Sequence, residues 1–208
     1  MVPVISYIML KGKCRYCHAS IMPRSMIIEL VTGVLFILAW LHSSAGIQLL
    51  VTIIYTALFI VLIIADLEKQ EMPLIFIYCV IIMAVLLAAA HAFNRAGPDL
   101  TGSIVGLVTG FGLLALVWLI FKWCGKGTLG FRNVLVGGMI GASIGYPAVI
   151  PAIVFAFLIG AVFTVTVWII RKRKPDRVPL AAILCCAALI IIYTGGNIVD
   201  RICSFGIF

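Results

Sequence analysis

Carboxylates are nearly missing from this sequence. Only seven of 208 residues are Asp or Glu, charged residues make up 11% against 64% hydrophobic, and the mean hydropathy is +1.28. That balance excludes a soluble globular domain, which needs roughly a quarter of its residues charged. Low-complexity linkers and internal repeats are also missing, so no string of soluble modules hides between the apolar runs. The alternating apolar and polar pattern of a membrane barrel does not occur either. The seven cysteines give no disulfide framework, because several lie inside apolar runs and Cys14, Cys17 and Cys124 lie in or near segments expected to face the reducing cytosol. At the N-terminus the basic group follows a brief apolar run, the reverse of a secretory signal, so no cleaved leader is expected.

What remains is a series of apolar stretches. Crossing the hydrocarbon core takes about 17 to 25 helical residues, and backbone polar groups cannot stay unpaired in lipid, so such runs read as helices. Six clear segments are expected at 26–41, 46–65, 73–92, 101–123, 148–170 and 179–198, with a short one at 134–146. The expected fold is all-α, a polytopic transmembrane bundle of about seven spans. Residues 1–25 are expected to form a cytosolic segment, and 26–208 the membrane domain.

The net charge of +8 invites a nucleic-acid reading, but the basic residues sit in short loops between spans, where they set orientation. With the N-terminus in the cytosol, the loops there hold Lys11, Lys13, Arg15, Arg24, Lys69, Lys122, Lys126, Arg132 and the run from Arg171 to Arg177, leaving only Arg95 and Arg201 outside. Counting the short segment as a span is what keeps the Arg171 to Arg177 loop inside. The expected location is therefore the plasma (inner) membrane, multi-pass, with the lipid bilayer as partner and no nucleic acid.

Few residues can do chemistry. Asp99, Asp176 and Asp200 read as span-end or loop acids. Asp66 closes the apolar run in "VLIIADLEKQEMP", where it is either an acid–base group at the membrane boundary or a marker of that boundary beside Lys69. Glu29, in "SMIIELVTG", lies about one turn into its span, where an acid has a partner, a task or a short path to water. Cys14 and Cys17 in "KGKCRYCHAS" form a single CxxC, half of the usual four-ligand zinc set.

In this order the pieces resemble the type IV prepilin peptidases, membrane aspartyl proteases with a Gly-x-Gly-Asp motif. "VPVISYIMLKGKCRYCHASIMPRSMIIELVTG" is similar to the family's zinc-bearing cytosolic segment and the following Glu-Leu pair, here Glu29 and Leu30. "ADLEKQEMP" is similar to the segment holding the first catalytic aspartate, which the resemblance carries onto Asp66, with Glu68 and Glu71 in the acid-bearing loop behind it. "GTLGFRNVLVGGMIGASIG" resembles the second catalytic segment, usually Gly-Phe-Gly-Asp-Val-Lys, and "KPDRVPLAAIL" the Pro-rich lead-in to the last span. The resemblance implies an aspartic endopeptidase that removes basic leaders from pilin-like precursors at the cytosolic face. Proteolysis would need no cofactor, zinc would sit on Cys14 and Cys17, and S-adenosylmethionine would serve the methyl transfer of some members. The family's leading span and first cysteine pair have no counterpart, which leaves zinc binding and methyl transfer without their usual support.

The second segment also departs from the pattern. Gly130 keeps its glycine, but Arg132, Asn133, Val134 and Leu135 stand where the family has Gly-Asp-Val-Lys, so Asn133 takes the place of the second aspartate. An aspartic dyad needs one ionised carboxyl to activate water and one neutral one to polarise the scissile carbonyl. An amide cannot ionise, and losing one partner of acid–base exchange typically costs about 100 to 10,000-fold. Three readings stay open: a peptidase with a weakened site or with Glu68 or Glu71 as substitute, a catalytically silent homologue serving pilus or type II secretion assembly, and a small transporter using Asp66 and Glu29 as relays.

Overall fold

The computed structural model describes residues 10, 12, 24–43, 46–68, 74–89, 99–123, 130–171 and 179–194, and seven helices account for nearly all of these. They are α1 (Arg24–His42), α2 (Ile47–Leu67), α3 (Leu74–Ala89), α4 (Leu100–Trp123), α5 (Phe131–Ile144), α6 (Val149–Arg171) and α7 (Leu180–Thr194), and no strand occurs among the described residues. Each coincides with one apolar segment of the sequence, because every run long enough to need internal backbone pairing forms it as a helix. α2, α4 and residues Val149–Val167 of α6 are long and apolar enough to cross a membrane, while α5 and α7 are shorter apolar helices.

α5 is the centre of the bundle. Every residue from Val134 to Ser143 is buried, and α3, α4, α6 and α7 all pack around it. Its closest neighbour is α4, and glycine is the reason. Gly106 lies against Gly141 and Gly110 against Gly137, so near that a Cβ built on Gly106 would meet the Gly141 carbonyl oxygen and one on Gly110 the Gly137 carbonyl oxygen. Small residues four apart on both helices let the backbones touch, a main source of helix association in lipid. The Ser103 hydroxyl reinforces the seam by donating to the Ala142 carbonyl at 2.7 Å.

Gly145 ends α5 with φ 83° and ψ 171°, a conformation essentially closed to residues with a Cβ, and its amide returns to the Gly141 carbonyl at 2.8 Å. The chain then turns at once into α6, with the Tyr146 amide bonded to the Gly102 carbonyl of α4 at 2.9 Å. At this end α4, α5 and α6 are flush. On the other side of the bundle α2 pairs with α7, and α1 packs on both from outside.

Candidate active site

Asp66 is the penultimate residue of α2 and is half-buried. Its Oδ2 accepts a hydrogen bond from the Ala182 backbone N–H at 2.8 Å, across 116 residues of sequence. Ala182 is the third residue of α7, and the first intrahelical amide there is that of Ile183, bonded to the Pro179 carbonyl at 3.2 Å. The Ala182 N–H is thus one of the amides that a helix start leaves without a partner, and the carboxylate supplies one. A helix N-terminus also favours negative charge nearby.

One further polar tie joins α2 to α7. The Tyr193 and Thr56 hydroxyls lie 2.6 Å apart in the buried interior. Thr56 already donates its one hydrogen to the Thr52 carbonyl at 2.8 Å, so Tyr193 is the donor to Thr56. α2 is antiparallel to α7, with Thr56 beside Tyr193 and Asp66 beside Ala182, and α7 runs back along α6 as α6 runs back from α5, so Asp66 and the N-terminal ends of α5 and α7 lie at the same end of the bundle.

Asn133 lies within the first turn of α5, not in a loop. The helix starts at Phe131, three residues before the apolar run expected from 134, with Gly130 as its extended N-cap and the Asn133 amide bonded to the Gly130 carbonyl at 3.0 Å. Arg132 and Asn133 are half-buried. Phe131 packs edge-on against Trp118 at 5.7 Å and Phe111 at 6.4 Å, and the Lys122 ammonium sits 4.9 Å above the Trp118 ring. By the glycine register, α4 runs on past the start of α5 through residues 118–123, about 9 Å of helix. The contact of Gly160 with Ile183 likewise leaves α6 overhanging the start of α7 by about two turns. Asp66, Asn133 and the α7 N-terminus thus lie at the end of the bundle where α4 and α6 project beyond the starts of α5 and α7.

Of the other expected site residues, Glu68 is the half-buried C-cap of α2, its amide bonded to the Ile64 carbonyl at 2.9 Å, two residues on from Asp66. Glu29 is half-buried on α1. Glu71, Cys14 and Cys17 lie outside the described residues. Between α1, α2 and α7 runs an apolar groove of about 600 Å³, bounded by Ile27, Val31, Leu35, Ile63, Leu67 and Leu189, that passes beside the Asp66 end of α2. Sequence reading missed Ala182. The only signal was Pro179, which marks a helix start but not what that start faces.

A family model described as Bacterial Peptidase A24 N-terminal domain matches residues 1–43. The chain is 26% identical over 201 residues to a prepilin leader peptidase/N-methyltransferase of Aeromonas salmonicida, covering 95% of this chain and 67% of that protein. It is 29% identical over 194 residues to a type 4 prepilin-like proteins leader peptide-processing enzyme of Escherichia coli O78:H11, covering 92% and 69%. A prepilin leader peptidase/N-methyltransferase of Neisseria gonorrhoeae is 31% identical over 177 residues, covering 83% and 59%. Over nearly its whole length the chain is similar to the type IV prepilin peptidases. It spans about two thirds of the length of the curated relatives it matches. No solved structure matches it. The two segments that resemble the family's aspartate motifs are the end of α2 and the start of α5.

Proposed function

We propose that this chain is a prepilin-peptidase-type membrane protein of the inner membrane, with Asp66 as its reactive carboxylate and Asn133 at the second position. The observation that supports the reading is the half-buried Asp66 carboxylate, fixed at one oxygen by the α7 amide at the end of the bundle where α5 begins with Asn133 in its first turn. The chemistry is peptide hydrolysis with one carboxyl instead of two. The free Asp66 oxygen takes a proton from water as the water oxygen bonds to the scissile carbonyl carbon, and the carbonyl π pair moves onto its oxygen. The Asn133 amide N–H holds that oxygen by a hydrogen bond, as an oxyanion donor does. The pair then re-forms the carbonyl, the C–N bond breaks, and the leaving nitrogen takes the proton back from Asp66. The products are a carboxyl and an amine, and Asp66 returns to its starting state. The substrate class is a pilin-like precursor with a basic leader, cut at the cytosolic face. Zinc on Cys14 and Cys17 and methyl transfer play no part in this scheme.

A second reading rests on the same position. An amide cannot donate its proton outright to the carbonyl oxygen, so a homologue that holds precursors without cutting them is the alternative outcome.

The test is cleavage of a pilin-type precursor in membranes carrying the natural chain, Asn133→Asp or Asp66→Ala. The reading expects slow cleavage by the natural chain, a gain of about 100 to 10,000-fold in Asn133→Asp, and none in Asp66→Ala. Cutting by Asn133→Asp alone identifies the natural chain as the silent homologue. Cleavage that survives Asp66→Ala sinks the assignment of Asp66.

A further inference from the structure

We infer that the first turn of α7 is a positioning element of the site, acting through one atom pair, the Ala182 amide and Asp66 Oδ2. The inference rests on the reading of Asp66 as the reactive carboxylate and goes beyond it, since Ala182 belongs to neither aspartate segment.

Three observations carry it. The bond is short, at 2.8 Å, and it uses an amide that the helix itself leaves unpaired. It is also where the last turn of α2 is tied to the start of α7, since the other tie between the two helices, Thr56 to Tyr193, lies about 15 Å away along α2. Finally, it sorts the two carboxylate oxygens. Oδ2 is committed to α7, so a single oxygen, Oδ1, is left to meet water. A carboxylate free to rotate about its last bond presents either oxygen in many directions, whereas a bonded one presents one oxygen in one direction. Orientation of this kind is worth much in rate, because a shift of about 1 Å at a reacting group costs on the order of 100-fold.

The position allows a clean deletion. Proline is tolerated in the first turn of a helix, where its missing N–H served no intrahelical bond, so Ala182→Pro removes the donor and leaves the α7 ladder intact. Ala182→Ser changes the side chain and keeps the donor. Amide-to-ester replacement at residue 182 makes the same deletion without a ring should the proline variant fail to fold.

The experiment has two arms on the full chain. The first is a double-mutant cycle on thermal unfolding in micelles: Ala182→Pro lowers the midpoint when Asp66 is present and adds nothing in an Asp66→Ala background. The second is precursor cleavage in the Asn133→Asp background, where Ala182→Pro lowers kcat about tenfold or more with KM unchanged and Ala182→Ser retains both. Additive midpoints mean that the bond does not exist and overturn the inference. Coupled midpoints with unchanged kcat leave Asp66 as a mere cap of α7 and overturn the positioning role alone. If Asn133→Asp cuts nothing while the midpoints are coupled, the peptidase reading fails and the positioning role falls with it.

Discussion

Thr56 and Tyr193 hold two helices together with one proton between them, in surroundings where neither hydroxyl has water to fall back on. Removing one partner leaves the other buried and less satisfied, a loss that double-mutant cycles in membrane bundles place near 0.6 kcal/mol and at most about 1.7. We expect Thr56→Val and Tyr193→Phe each to cost about 1 kcal/mol in unfolding from micelles, and the double variant to cost clearly less than the two together. Additive losses would show that the pair is not bonded. Residues like these are the part of the molecule that sequence hides best. Asp66 is visible in the sequence as an acid ending an apolar run, and Lys69 looks like its neighbour, yet its bond goes to a backbone amide 116 residues away. Nothing about alanine at 182 marks it, because any residue but proline carries that N–H.

The α4–α5 seam makes a sharper prediction at the scale of the element. Gly106→Ala or Gly141→Ala drives a methyl into the opposite backbone, which cannot step aside as a side chain can, so each should cost about 1 to 3 kcal/mol or more and lower the unfolding midpoint. Gly112, on the same helix, has nothing within 4 Å of its would-be Cβ. There Ala should be neutral or stabilising by up to about 1 kcal/mol, the helix propensity it regains. Equal losses at all three sites would mean that the seam is not tight. The helices themselves were legible, since length and hydropathy alone place all seven to within a few residues. Which of them touch was not: glycine spaced by four in an apolar run reads equally as a weak helix former or as a contact, and only a partner with matching spacing decides between them.

For the whole molecule, the loop charges make a prediction of orientation. With seven spans and a cytosolic N-terminus, alkaline phosphatase fused after residue 208 should be active and the same fusion after Arg177 inactive. The reverse pattern would turn the site to the outside and end the cytosolic peptidase reading. This count depends on α5, whose 14 residues fall short of a span by length. Hydropathy gave it as a short segment, and the charge rule is what counts it as a span, because its omission would have exported the basic loop after α6. The sequence could not show why so short a helix is tolerated. α5 is wrapped by other helices along its whole buried length, so protein and not lipid meets most of its surface.

Because α4, α5 and α6 are level at the Gly145 turn, the shortfall of α5 lies entirely at the Asn133 end. A 14-residue helix rises about 21 Å against a hydrocarbon slab of about 30 Å. Wherever lipid rather than protein covers that end, one leaflet has to thin, or headgroups and water have to enter between the ends of α4 and α6. The depth of that entry is set by the surrounding acyl chains as much as by the protein. With Asp66 as the reactive carboxylate, longer lipids should slow hydrolysis by keeping its second substrate, water, from that end.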